Sequence, residues 1–102
     1  MKIEPRFVEF IPEKLNFGIL YISVKFRTAS HLCASGCGEK IVTPIRPNRW
    51  SIKYDGKSVS LQPSIGNFNL ECKSHYFIRN NEIVWARGAT ANKGFFKQLL
   101  PW

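Results

Sequence analysis

Residues 50–61, WSIKYDGKSVSL, decide the fold class of this chain. Apolar and polar side chains alternate on both sides of Asp55-Gly56, and such alternation is typical of strands that bury one face. An Asp-Gly pair between two such runs is a strong hairpin signal, because glycine adopts positive φ without steric cost. The stretch therefore predicts an antiparallel hairpin with strands at residues 50–54 and 58–61.

The same kind of pattern extends outward from this hairpin. A second hairpin is predicted at residues 76–79 and 82–86, because asparagine tolerates positive φ and Asn80-Asn81 separates the two runs. The remaining predicted elements are strands at 6–10, 19–26 and 40–43, a turn or single helical turn at 12–15, a loop at 63–67, and a short C-terminal helix at 92–100. Together they predict a mainly β, small α+β domain built from antiparallel hairpins.

The length and charge of the chain limit how many domains it contains and which partners suit it. The 102 residues suffice for one domain, spanning 1–102. Fifteen Lys and Arg against seven acids give a formal charge of +8, which favours negatively charged partners. Such partners include nucleic acid, anionic lipid and acidic proteins. The positive charges are dispersed along the chain, which is more typical of a solubilising surface than of a nucleic-acid groove, and nucleic acid stays an alternative partner. No apolar run can span a bilayer and the N-terminus lacks a secretory apolar segment, so we expect a cytoplasmic protein without a membrane partner.

The chemistry-bearing residues fall into two clusters, because every cysteine and histidine lies in residues 31–38, HLCASGCG, or 72–75, CKSH. Three cysteines cannot all pair internally, and a reducing compartment leaves thiolates available for a metal. Zinc takes four thiolate or imidazole ligands in a tetrahedron, and two ligand pairs on two turns supply that geometry. The sequence therefore predicts one zinc ion bound by Cys33, Cys37, Cys72 and His75.

Two states of this zinc site are open from the residues alone. Four protein ligands make a closed, structural site, whereas displacement of one histidine leaves a position for water. The candidate catalytic residues in the open case are His31 or His75, whichever does not bind the metal, for proton transfer. Glu39 is a candidate general base toward metal-bound water, and Ser35 a candidate nucleophile or donor to thiolate. Ser64 is a further candidate, an exposed turn serine that pairs with a histidine if folding brings one near. It lacks the surrounding G-x-S-x-G motif.

The H-x-C-x₃-C and C-x-x-H motifs, with residues 63–67, PSIGN, and Trp85-Ala86, resemble a small bacterial family of unknown function. Genes of that family often lie beside multi-ubiquitin, E1-like and E2-like genes, and the resemblance covers residues 7–86. It implies a zinc-containing peptidase that acts on a ubiquitin-like modifier, with that modifier or its E1/E2-like enzymes as partners. It also implies the metal ligands named above, with His31 as a catalytic group or a partner of the ligands. Relatives often carry another cysteine where this chain has Ser35.

Two hypotheses about function follow. A zinc-containing peptidase predicts a cleft beside the metal, with His31, Glu39 or a serine directed into it. A non-catalytic, zinc-stabilised binding module for protein or nucleic acid predicts a closed tetrahedral site and an intact basic and aromatic surface.

Overall fold

The computed structural model describes residues 1–67 and 71–86, and these residues form two four-stranded sheets. The first sheet has the order β1-β2-β3-β4 and the second the order β5-β6-β7-β8. The strands are β1 (Glu4–Phe7), β2 (Ile19–Ser23), β3 (Thr28–Leu32), β4 (Lys40–Pro44), β5 (Ser51–Tyr54), β6 (Val59–Gly66), β7 (His75–Arg79) and β8 (Glu82–Trp85). This architecture confirms the mainly β prediction. The predicted helix at 92–100 lies outside the described residues.

The first sheet is mixed, because β1 runs parallel to β2 whereas β2, β3 and β4 are antiparallel. The strand predicted at 19–26 ends earlier, at Ser23, because the chain turns there: the Arg27 amide donates to the Val24 carbonyl at 3.2 Å, and Arg27 has φ 49°. Strand β3 was not predicted. Residues 12–15 contain a bend and no helical turn.

The second sheet is an antiparallel meander, and both predicted hairpins are present. Gly56 has φ 97°, as the Asp-Gly signal requires, although residues 55–58 form a loop longer than a two-residue turn. At the other hairpin Arg79 pairs with Glu82, so Asn80 and Asn81 alone make the turn, with φ 47° and 64°.

Strand β6 differs from its prediction in a way that matters for the site. The predicted strand at 58–61 and loop at 63–67 are one strand, Val59–Gly66, with an irregularity in the middle. Leu61 pairs with Ile78 and Ile65 pairs with Tyr76, so residues 62–64 lie opposite Phe77 alone. Bulges of this kind re-aim side chains and are frequent next to active sites. Ser64 therefore lies in a bulged strand and not in a loop.

One hydrophobic core joins the two sheets. Leu20 of β2 and Leu61 and Ile78 of the second sheet belong to the same buried cluster. The N-terminal residues also connect the sheets, because the Ile3 amide donates to the Asn81 carbonyl and the Ile83 amide donates to the Met1 carbonyl, both at 2.8 Å. Within residues 1–67 and 71–86, no helix has the length and apolarity needed to cross a membrane.

Candidate functional site

The loop at residues 33–39 links β3 to β4 and curls tightly. The Cys33 amide donates to the Glu39 carbonyl at 2.8 Å, and the Gly36 amide donates back to the Cys33 carbonyl at 3.0 Å. Gly36 has φ 86°, a conformation that glycine adopts without strain. The Cys37 amide donates to Ser35 Oγ at 3.3 Å. These bonds return Cys37 toward Cys33.

Three cysteines converge from this loop and from the segment before β7. The Sγ atoms of Cys33, Cys37 and Cys72 all lie within 4.8 Å of one another, and those of Cys33 and Cys72 are 3.8 Å apart. A zinc ion with Zn–S bonds of about 2.3 Å in a tetrahedron separates its sulfur ligands by about 3.8 Å. The three thiols therefore fit the dimensions of one metal ion.

Polar side chains contact the sulfurs of Cys33 and Cys72 and lower the cost of holding negative charge there, whereas burial raises the pKa of Cys37. Ser74 Oγ lies 3.2 Å from Cys33 Sγ and 3.3 Å from Cys72 Sγ, and Asn67 Nδ2 donates to Ser74 Oγ at 2.9 Å. Burial by itself raises the pKa of Cys72, but hydrogen bonds with Ser35 and Ser74 bring it down to about 6. Sequence reasoning missed Asn67 and Ser74. Only Ser74 carried a signal, its place inside the C-x-x-H motif.

His75 is not part of the cysteine group; it contacts a serine. His75 Nε2 lies 2.7 Å from Ser64 Oγ, the distance at which the hydroxyl donates to an unprotonated ring nitrogen. Both residues are half-buried. The pair is thus close to solvent, and its two atoms have the relation of a nucleophile and its base.

Strand pairing fixes this serine–histidine pair. Gly66 of β6 pairs directly with His75 of β7, and Ser64, at the end of the bulge two residues earlier, contacts the same histidine. Trp50 Nε1 donates to the Ser64 carbonyl at 3.4 Å, and the Phe77 ring packs against the His75 ring with centroids 6.1 Å apart. The Ala86 amide donates to the His75 carbonyl at 2.9 Å.

His31 lies in a different environment from His75. Its side chain is fully buried, its Nε2 is 2.7 Å from the Tyr76 hydroxyl, and its Nδ1 is buried without a partner among the described residues. The Tyr76 hydroxyl accepts from the Ala34 amide at 3.3 Å. It can therefore donate to an unprotonated His31, in agreement with burial, which lowers the pKa of His31 to about 4.

Ser35 and Glu39 both belong to the cysteine loop. Ser35 Oγ is 3.1 Å from Cys33 Sγ, so the hydroxyl is a partner of thiolate. Glu39 is exposed, and its backbone carbonyl closes the loop. In the described part of the chain neither residue is hydrogen bonded to a histidine.

The fold and site define a class: a small β protein that presents a serine hydroxyl to a histidine nitrogen, next to a cluster of three thiols. A family model described as "Bacterial ubiquitination-like system serine protease (BubE)" matches residues 7–86. The match covers well over half of the chain, and the chain belongs to this family. No curated protein and no solved structure matched the chain. The family description agrees with the expected role of a peptidase in a ubiquitination-like system.

Proposed function

We propose that this chain is a serine peptidase that acts on a ubiquitin-like modifier, with Ser64 as the nucleophile and His75 as the general base. The observation that carries the proposal is the 2.7 Å contact between Ser64 Oγ and His75 Nε2. A serine hydroxyl is a weak nucleophile until an adjacent base accepts its proton. The family description, a serine protease of a bacterial ubiquitination-like system, supports the same reaction and the same class of substrate.

The reaction proceeds through an ester on Ser64. Ser64 Oγ attacks the scissile carbonyl carbon while His75 Nε2 accepts the hydroxyl proton. The carbon–nitrogen bond then breaks, and the leaving amine takes that proton from His75. A water molecule next attacks the ester, giving one proton to His75, and that proton restores the Ser64 hydroxyl as the carboxylic acid product leaves. The acid loses its remaining proton to solvent.

The fold prepares these two groups before substrate binds. Ser64 and His75 lie on neighbouring strands whose backbone hydrogen bonds fix their separation, and Trp50 holds the Ser64 carbonyl. A pair that is already within hydrogen-bond reach loses little freedom in the transition state. The Phe77 ring packs against the His75 imidazole and restricts its rotation.

The placement of the other candidates favours structural roles for them. A general base must reach the proton that it removes, and His31 is fully buried against Tyr76. Ser35 and Glu39 lie at the cysteine loop, where Ser35 contacts a sulfur and Glu39 closes the loop. In this proposal the metal site is therefore separate from the reacting groups.

We further propose that Cys33, Cys37 and Cys72 bind one zinc ion as thiolates. Soft thiolate ligands in a tetrahedral arrangement favour zinc among the common metals. His75, expected as the fourth ligand, serves Ser64 in this proposal, so another group completes the tetrahedron. The bound ion fastens Cys72 to the β3–β4 loop, and His75 follows Cys72 by three residues. The zinc therefore supplies folding energy near the base and takes no part in the reaction.

Cleavage of a modifier tests the catalytic proposal. The substrate is a ubiquitin-like protein of a bacterial ubiquitination-like system that carries a peptide extension after its C-terminus. We expect the wild-type protein to remove the extension, and Ser64→Ala to slow removal by about a thousandfold or more. The matched control is Ser60→Ala on the same strand, whose Oγ accepts from the Asn80 amide at 2.9 Å. That variant keeps activity.

Two results would contradict the catalytic proposal. One is cleavage by Ser64→Ala at the wild-type rate. The other is a zinc-loaded wild-type protein that binds the modifier and leaves the extension intact, which favours the zinc-stabilised binding module instead.

A further inference from the structure

A cavity opens beside the serine–histidine pair on the outer face of the second sheet. It has a volume of about 520 Å³, and its lining includes Pro63, Phe77, Arg49 and Arg79. Pro63 directly precedes Ser64, and the Phe77 ring packs on the His75 ring. Ser64 and His75 do not line the cavity themselves, but Pro63 and Phe77, which do, are their immediate neighbours.

The charge of this cavity is positive. Arg49 and Arg79 both line it, and no acidic side chain does. Within the described ranges neither arginine forms an ion pair with the protein. Both side chains are exposed, so an incoming carboxylate meets two cations that need not give up an acidic partner among the described residues.

Packing holds one of these cations close to the reacting groups. The guanidinium carbon of Arg79 lies 4.3 Å from the centroid of the Phe77 ring, and that ring is 6.1 Å from the His75 ring. Stacking on an aromatic ring orients a guanidinium group and reduces the entropy lost when it binds a carboxylate. These two distances place the guanidinium carbon within about 10 Å of the centre of the His75 ring. An extended peptide advances about 3.3 Å per residue, so the charge lies within about three substrate residues of the base.

The positive surface continues along the sheet away from Ser64. A neighbouring cavity of about 360 Å³ shares Gln62 and Arg79 with the first and adds Lys53. Asp55 also lines it, but its carboxylate already accepts from the Lys57 amide at 2.9 Å and the Ser58 amide at 2.7 Å. Both bonds are to Oδ1, so Asp55 remains a negative charge in this second cavity, whereas no acidic side chain lines the first.

We infer that the Arg49–Arg79 cavity is a substrate subsite for an acidic side chain within about three residues of the scissile bond. The inference rests on the proposed function, and it specifies the substrate as a polypeptide with Asp or Glu near the cleavage point. A carboxylate in the cavity pairs with Arg79 and Arg49 and places the scissile carbonyl over Ser64.

The test measures how peptides protect Ser64 from a fluorophosphonate, a reagent that labels nucleophilic serines. The peptides are six-residue Gly/Ala chains carrying a single Glu, Gln or Lys at each position in turn. We expect a Glu peptide, at one or two positions, to slow labelling about fivefold more than its Gln counterpart, with Lys peptides the weakest. The preference should shrink as salt is raised, because the two arginines are exposed.

Charge variants identify the cavity as the origin of the preference. Arg79→Glu should reverse it in favour of Lys peptides, and Arg49→Gln should reduce it, with each variant's protection expressed relative to its own labelling rate without peptide. The matched control is Lys57→Gln, an exposed cation in the β5–β6 loop that does not line the cavity. It should keep the preference for Glu.

Failure of the subsite and failure of the reaction give different results. Suppose that Ser64 is labelled rapidly but the Glu, Gln and Lys peptides protect it equally, or none of them protects it. Either result would overturn the subsite and leave the catalytic pair intact. A preference for Glu that survives Arg79→Glu would also overturn it. Absence of labelling at Ser64 without peptide would overturn the proposed reaction itself, and the subsite inference with it.

Discussion

Removing the hydroxyl of Tyr76 tests whether His31 is held as part of the core. The Tyr76→Phe variant keeps the buried ring and deletes one oxygen atom. That oxygen lies 2.7 Å from His31 Nε2 and 3.3 Å from the Ala34 amide nitrogen. Because His31 Nδ1 already has no partner among the described residues, the change leaves the imidazole without a hydrogen bond at either nitrogen.

The expected cost follows from this burial. A buried polar group that loses its partner destabilises the fold by about 1–3 kcal/mol, and here two groups lose the same partner. We therefore expect the free energy of unfolding to fall by about 2–3 kcal/mol. Urea denaturation of the metal-loaded protein measures this loss. The midpoint of unfolding should fall to a lower urea concentration, while the dependence of the unfolding free energy on urea concentration stays unchanged.

Tyr54→Phe is the matched control for this prediction. Tyr54 is exposed, and its hydroxyl donates to the Gly56 carbonyl at 3.0 Å, where water can replace it. We expect that variant to lose less than about 0.5 kcal/mol. Equal midpoints for the two variants would refute the reasoning. Fluorophosphonate labelling of Ser64 should continue in Tyr76→Phe, and its loss would show that His31 and Tyr76 support the reaction directly.

Three other changes test separate parts of the account. Cys72→Ser should release the metal and lower the melting temperature, because metal binding is part of the folding energy; a full equivalent of zinc by elemental analysis would contradict it. Gly56→Val should cost about 1 kcal/mol or more in urea, since Gly56 has φ 97°, and an unchanged midpoint would count against the turn. Asn81→Ala should cost about 1–2 kcal/mol, because Asn81 Oδ1 accepts from the Val59 amide at 2.8 Å; a loss no larger than that of Tyr54→Phe would contradict it.

The hairpins of the second sheet were predictable because their signals are local. Asp55-Gly56 and Asn80-Asn81 mark turns through backbone conformations that few residue types adopt, and alternation marks the strands. Strand β3 was not predicted, because it lacks such a local signal. Its centre, Ala29, Ser30 and His31, is buried without large aliphatic side chains, so it gives no hydrophobic pattern.

The site was predicted only in part. Segregation of the cysteines into two short motifs was enough to predict that Cys33, Cys37 and Cys72 meet. The partner of His75 was not predictable in the same way, because it depends on the register between β6 and β7. The bulge at residues 62–64 changes that register, and the number of residues in a bulge cannot be predicted from the local sequence. Pro63 within the segment instead suggested a loop.

The central claim is that Ser64 is the nucleophile and His75 its base, and identification of the labelled residue tests it most directly. Metal-loaded protein is treated with a fluorophosphonate, digested, and the modified peptide is mapped by mass spectrometry. The account predicts one adduct, on Ser64, that is absent from Ser64→Ala and forms at least about tenfold more slowly in His75→Gln. An adduct on Ser35, or a folded and metal-loaded protein that acquires none, would contradict it.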